Sequence, residues 1–327
     1  MHGEGATRLT VVAGSQKRVP DFFIVGHPKC GTTALYEMLR PHPQIYMPDV
    51  KEPKFFASEE RYRFHPEKSL EDYLLLFEPA EVNQRVGEAS VFYLWSPTAA
   101  GRIADLQPDA RIIAILREPA SFLRSLHLQF VQGHVEMETD LRKAIALEEA
   151  RRKGEHDSYS VACSPQMLLY ANYVRYVDQI RRYEALFPKD RVLVLIYDDF
   201  LNDNDAVVRA VFRFLQVEDA FTTSPTKANP TVRVRSPHLN YMVKTVYKGH
   251  GPVSHTVKAG VKALVPSRRL RRYALGVTQR RILYAKPPVP DEELMLELRH
   301  RFKPEVVALS EYLERDLVTL WGYDRID

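Results

Sequence analysis

The chain has 327 residues, 45 % of them hydrophobic and 27 % charged, which is enough apolar material for a sizeable core. A net charge of +4 does not fit a protein whose whole surface is built for nucleic acid. Two cysteines, Cys30 and Cys163, make no disulfide framework; both read as thiols in a reducing, cytoplasmic setting.

The first twenty residues are polar and read as a flexible arm with no secretory signal. The apolar run Phe22–Val25 reads as a strand, and Ala34–Arg40 as a helix. Between them lies Gly26-His27-Pro28-Lys29-Cys30-Gly31-Thr32-Thr33. Strand, glycine-framed loop and helix start form the layout of a phosphate cradle, because amides at a helix N-terminus lack intrahelical partners and carry partial positive charge. A Walker loop places its lysine directly after the second glycine. Here Thr32 occupies that position and the lysine is Lys29, inside the loop. A lysine set lower suits a nucleotide with a single 5′-phosphate and one further transferable group.

Next come Lys51-Glu52-Pro53-Lys54-Phe55-Phe56, whose aromatic pair is expected in the core, and Arg85–Leu94, a strand running into a loop with Glu88 as its one acid. Arg111–Leu116 is a short, Ile-rich run of the kind found in buried parallel strands. Pro119 is suited to a first helical turn, and Phe122, Leu123, Leu126 and Phe130 give the stretch Ala120–Val131 a helical stripe. Arg117 then lies at a strand's carboxyl end, where ligands bind in open α/β sheets, and Ser125 about two turns into the helix. Residues 139–153 and 166–187 read as helices, Arg191–Tyr197 as a buried strand, Asp198-Asp199 as an acidic turn and Asp205–Leu215 as a helix. Asn229–Ser236 is a polar loop with Arg233 and Arg235. The bases from Arg268 to Arg281 form a dense cluster that reads as a solvated face or a contact for an anionic acceptor, an acidic membrane surface or a partner. No stretch is apolar enough to span a bilayer. Asp291–Phe302 and Pro304–Leu320 read as two closing amphipathic helices.

Pro28-Lys29-Cys30-Gly31-Thr32-Thr33, with Arg117 and Ser125 beyond it, resembles the PAPS-dependent sulfotransferase family. Lys51–Phe56 and Gly87-Glu88-Ala89-Ser90 resemble its bacterial and heparan-type branch. The resemblance covers Phe22–Leu215 well and thins from there to Pro290. It implies a P-loop-type, three-layer α/β sandwich with a central, mainly parallel sheet, as a single domain over 21–327: a cofactor core to about 220, a basic looped region to about 290, then closing helices to about 322. It implies 3′-phosphoadenosine 5′-phosphosulfate (PAPS) as co-substrate and no metal. Lys29, Cys30, Gly31, Thr32 and Thr33 then hold the 5′-phosphosulfate, Arg117 and Ser125 hold the 3′-phosphate, and Arg235 is the late basic candidate by position. Lys29 and Glu88 are the expected catalytic pair, Lys29 on the leaving oxygen and Glu88 as general base; His127, beside Ser125 in the helix, is expected to be packed instead. The acceptor is a small molecule or glycan. A P-loop kinase or NTPase, and a non-catalytic 3′,5′-ADP-binding protein, stay open as alternatives.

Overall fold

The computed structural model describes residues 9–12, 15–57, 69–155, 164–222, 233–235 and 283–326. Cys163, the loop residues 229–232 and 236, and the basic stretch Arg268–Arg281 lie outside the described residues. In chain order the elements are β1 (Leu9–Val12), β2 (Ser15–Arg18), β3 (Phe22–Gly26), α1 (Thr32–Leu39), β4 (Ile45–Tyr46), α2 (Leu70–Leu74), β5 (Arg85–Ala89), α3 (Ala99–Leu106) and β6 (Arg111–Leu116). They continue with α4 (Pro119–Gly133), α5 (Leu141–Ala146), α6 (Glu148–Lys153), α7 (Tyr176–Glu184), β7 (Val192–Ile196), α8 (Tyr197–Asn202), α9 (Asn204–Leu215), β8 (Arg233–Val234), β9 (Tyr284–Ala285), α10 (Glu292–Tyr312) and α11 (Leu317–Leu320).

Five strands form one parallel sheet in the order β4-β5-β3-β6-β7. β3, central and entirely buried, is covered by helices on both faces, which is why β3 and β6 are almost continuously apolar. The chain leaves β3 toward β5 and β4, then returns to β6 on its other side. That reversal opens a crevice at the carboxyl ends of β3 and its two neighbours, the usual place for a ligand in such a sheet.

Three expectations need correction. The N-terminal arm is, in its described part, an antiparallel hairpin of β1 and β2. It is tied to the body by Lys17 pairing with Glu78 and by Arg18 Nη2 donating to the Gln84 carbonyl at 2.6 Å. The closing segment is one long helix, α10, that runs through Pro304. A mid-helix proline costs about 3 kcal/mol, and the buried stripe of Leu298, Phe302, Val306 and Leu309, packed toward α4 and α7, offsets it. The 166–187 stretch is helical only from Tyr176; before it come two short 3₁₀ turns, Pro165–Leu168 and Tyr170–Val174.

A buried ion pair fixes the chain after α4. Arg151 and Glu136, both with fully buried side chains, meet at 2.8 Å. Glu136 also accepts from the Met137 and Glu138 amides and from Tyr170, so its charge is compensated from every side.

Candidate active site

The loop between β3 and α1 is shaped by close approach. A Cβ on Gly26 would sit 2.8 Å from both Leu94 Cβ and the Val91 carbonyl. Gly31 adopts φ +86° with Tyr197 and Phe200 against it, a backbone state that strains any other residue. Gly31 is also the N-cap of α1, and no side chain caps that helix. First-turn amides of a helix lack intrahelical partners, the arrangement that suits an anion. Thr32 is buried and Thr33 half-buried at this start.

His27 anchors the loop from below. Fully buried, it shares a 2.6 Å hydrogen bond with Gln179. Gln179 donates its own amide to Asn172 and Tyr173 carbonyls, so its oxygen accepts from the imidazole, which burial keeps neutral by lowering its pKa to about 4. Cys30 is buried as well, and burial pushes its thiol up to about 12; it serves the loop as a packed side chain, not a nucleophile.

Lys29 is half-buried. Burial, then the neighbouring Arg117 guanidinium, lower its pKa, so an incoming anion relieves a destabilised ammonium. Arg117, at the end of β6, donates to the Lys29 carbonyl at 3.2 Å and to Ser121 Oγ at 3.3 Å. Its guanidinium lies 4.8 Å from the Tyr197 ring centre, a cation–π contact that the sequence alone did not reveal. Ser125 is buried on α4. The start of α4 is braced from the far end of the chain. Glu118 caps the helix through the Ala120 and Ser121 amides, and Tyr323 donates to it at 2.7 Å. Tyr176 donates to the Arg117 carbonyl at 2.8 Å. β8 packs against α4, and Arg235 beside it is exposed, with Nε donating to the Tyr284 carbonyl at 3.1 Å. His127 is buried against Tyr170 and bonded to the Glu138 carbonyl at 2.9 Å, which takes it out of contention as a base.

On the other side of the loop the two acids separate. Glu88, on β5 beside Phe23, has no exposed surface. Tyr73 donates to its Oε2 at 3.1 Å, while Oε1 has no hydrogen-bond partner. Burial raises its pKa to about 7, and the neighbouring Ser90, Tyr93 and Tyr73 hydroxyls, then Lys51, hold it from going higher. Glu52 is the accessible carboxylate, its side chain 32 % exposed. Its amide donates to the Ala89 carbonyl at 2.9 Å, fixing it at the carboxyl end of β5, next to the strand that launches the Lys29 loop. Lys51 lies 3.0 Å and Lys54 3.9 Å from its oxygens.

Backbone strain marks the same residues. Among the described residues, six non-glycine positions have positive φ. His134 and Gln216 cap helices, and Glu314 follows the end of α10, where a left-handed residue is ordinary. The other three are Lys29, Glu52 and Lys54, at φ 64°, 60° and 58°. Left-handed side chains of this kind gather at functional sites. The K-E-x-x-F-F segment was visible in the sequence, but nothing there showed that Glu52 is tied to the carboxyl end of β5. Among the described residues, no group of three or more His, Cys, Asp or Glu is arranged to hold a metal, and no helix is long and apolar enough to cross a membrane.

A parallel sheet ordered this way, with a helix start that no side chain caps at its switch point and a lysine inside the loop, defines a P-loop-type α/β fold. The sulfotransferase domain model matches residues 19–247, and the chain belongs to that family. Carbohydrate sulfotransferase 15 of Mus musculus is 26 % identical over 309 residues, covering 75 % of this chain and 54 % of the relative. The bifunctional heparan sulfate N-deacetylase/N-sulfotransferase 3 of Homo sapiens is 26 % identical over 71 % of this chain and 24 % of its own length. The chain thus spans about half the length, or less, of these curated relatives. A solved sulfotransferase from Alicyclobacillus acidocaldarius superposes with a TM-score of 0.63 at 25 % identity, covering 93 % of this chain and 99 % of that one.

Proposed function

We propose that this chain moves a sulfuryl group from PAPS to a hydroxyl or amine of a carbohydrate-containing molecule or small metabolite. The observation that carries the reading is the juxtaposition, around one uncapped helix start, of Lys29 on a left-handed turn and Arg117 bonded to the same loop. The names of the relatives support a carbohydrate acceptor.

In this reading the first-turn amides of α1, those of Cys30 and Gly31, and the Thr32 and Thr33 hydroxyls hold the 5′-phosphate. Arg117 and Ser125 grip the 3′-phosphate, with Arg235 approaching from the β8 side. The acceptor oxygen or nitrogen attacks sulfur in line, and the bond from sulfur to the bridging oxygen breaks. The electron pair stays on that oxygen, where Lys29 stabilises it. The acceptor's proton goes to a carboxylate. Glu88 was the sequence's choice, but a base must reach the proton it takes, and Glu88 is enclosed. Its accessible neighbour at the same sheet edge, Glu52, is the better-placed base.

The reading is tested with ³⁵S-labelled PAPS and a panel of glycans and extracts; labelled product is expected, and its absence together with no affinity for 3′,5′-ADP would refute it. Arg117→Ala should weaken 3′,5′-ADP about 10- to 100-fold by calorimetry, because charge-assisted bonds to phosphate contribute about 1.5–3 kcal/mol each, and leave AMP nearly untouched. Equal losses for both nucleotides would take Arg117 off the 3′-phosphate. Tyr323→Phe, which loosens the Glu118 cap, should give the same selective loss at about one-third to one-tenth affinity; an unchanged ratio of the two nucleotides would show that the brace does not matter to binding.

A further inference from the structure

The buried acid set aside as base sits at the centre of a hydrogen-bonded hub. Three consecutive amides of the segment carrying Glu52 are held by side-chain hydroxyls: Lys54 N–H donates to Ser90 Oγ at 3.1 Å, and Phe55 and Phe56 N–H donate to the Tyr93 hydroxyl at 2.8 and 3.2 Å. A phenol oxygen that accepts two amides has one proton left to give, and a buried hydroxyl proton needs an acceptor. Glu88 is the carboxylate beside both hydroxyls, and it already accepts from Tyr73. Tyr73 in turn stacks on Phe55, ring centres 4.4 Å apart and planes 10° from parallel. Ser90 and Tyr93 thus tie the backbone of Lys54–Phe56 to the surroundings of Glu88, and Tyr73 ties in the Phe55 ring.

We infer that Glu88 is a positioning residue: through Ser90, Tyr93 and Tyr73 it orders the backbone of Lys54–Phe56 and so holds the left-handed turn that presents Glu52 and Lys51 at the crevice. Glutamine in its place puts a neutral, weaker acceptor and a competing NH2 donor beside these hydroxyls, so the partners of the three amides are less firmly fixed. The charged group nearest this hub is Lys51, whose ammonium pairs with Glu52 at 3.0 Å and whose charge is felt at the buried acid. This inference rests on the reading of Glu52 as part of the reacting site, but its structural half does not depend on that reading.

The test is hydrogen–deuterium exchange on the full chain, comparing wild type with Glu88→Gln and Tyr93→Phe, alongside turnover and 3′,5′-ADP affinity. Peptides spanning 51–57 should exchange about tenfold faster in both variants, while those from β6 keep their protection. Turnover should fall about tenfold in both, with 3′,5′-ADP affinity within about twofold of wild type. Unchanged exchange at 51–57 in Glu88→Gln with turnover lost would mean that Glu88 acts on the reacting atoms, and the inference falls. Equal loss of protection in β6 would make Glu88 an ordinary core group, and the inference falls again. Tyr93→Phe keeps the question answerable should the Glu88 variant fail to fold. A chain that showed the exchange pattern but neither bound 3′,5′-ADP nor transferred label would keep the hub and lose the sulfotransfer reading.

Discussion

Lys29→Ala should lower kcat by about 10²–10³-fold and change the affinity for 3′,5′-ADP by less than about tenfold. The asymmetry follows from where the charge is. In the bound donor the bridging oxygen shares its electrons between phosphorus and sulfur; as the bond to sulfur breaks, it gains most of a negative charge. An interaction that strengthens only then raises kcat and not binding. Lys29 is prepared for that moment. It sits inside the loop on a left-handed backbone, and burial, then the neighbouring Arg117, lower the pKa of its ammonium. Alanine keeps the Cβ that lysine already carries at φ 64°, so Lys29→Ala removes the charge without changing the backbone strain, and Lys29→Gly, which relieves that strain, shows whether the loop's conformation matters as well. Steady-state turnover of labelled PAPS and calorimetry of 3′,5′-ADP give both quantities. Wild-type turnover in either variant would remove Lys29 from the chemistry.

Much of the fold was legible because buried parallel strands write themselves as short apolar runs. Phe22–Val25, Ile112–Leu116 and Val192–Ile196 all stand in the sheet. β4, two residues long, carries no pattern to read, and the N-terminal hairpin is held by Lys17 and Arg18, whose partners lie some sixty residues away. Pro304 suggested a boundary because local propensity knows nothing of the packing that carries α10 across it. In the site, the strand–loop–helix geometry around Lys29 was legible because it is set by spacing along one stretch of chain. The base was not. Glu88 attracted attention as the lone acid in an apolar run, which is also how a buried structural acid appears. Glu52 drew no reading of its own within the Lys51–Phe56 segment; the bond from its amide to the Ala89 carbonyl, which sets it at the carboxyl end of β5, is a tertiary fact.

The sharpest discrimination between those two acids is Glu52→Gln, expected to cut kcat about 10²–10⁴-fold with 3′,5′-ADP bound as in wild type. Glutamine keeps the size of the side chain and loses only its ability to take a proton. Glu52 lies on the β5 side of the phosphate loop and Arg117 on the β6 side, so the substitution touches the acceptor's approach and leaves the nucleotide's grip alone. Lys51 Nζ lies 3.0 Å from Glu52 Oε1. Glu88→Gln, by contrast, acts only through the placement of Glu52 and should cost about tenfold. The order of the two effects is therefore the measurement: single-turnover rates with saturating donor should place Glu52→Gln well below Glu88→Gln. The reverse order would return the proton to Glu88 and require the 51–56 segment to move aside for the acceptor.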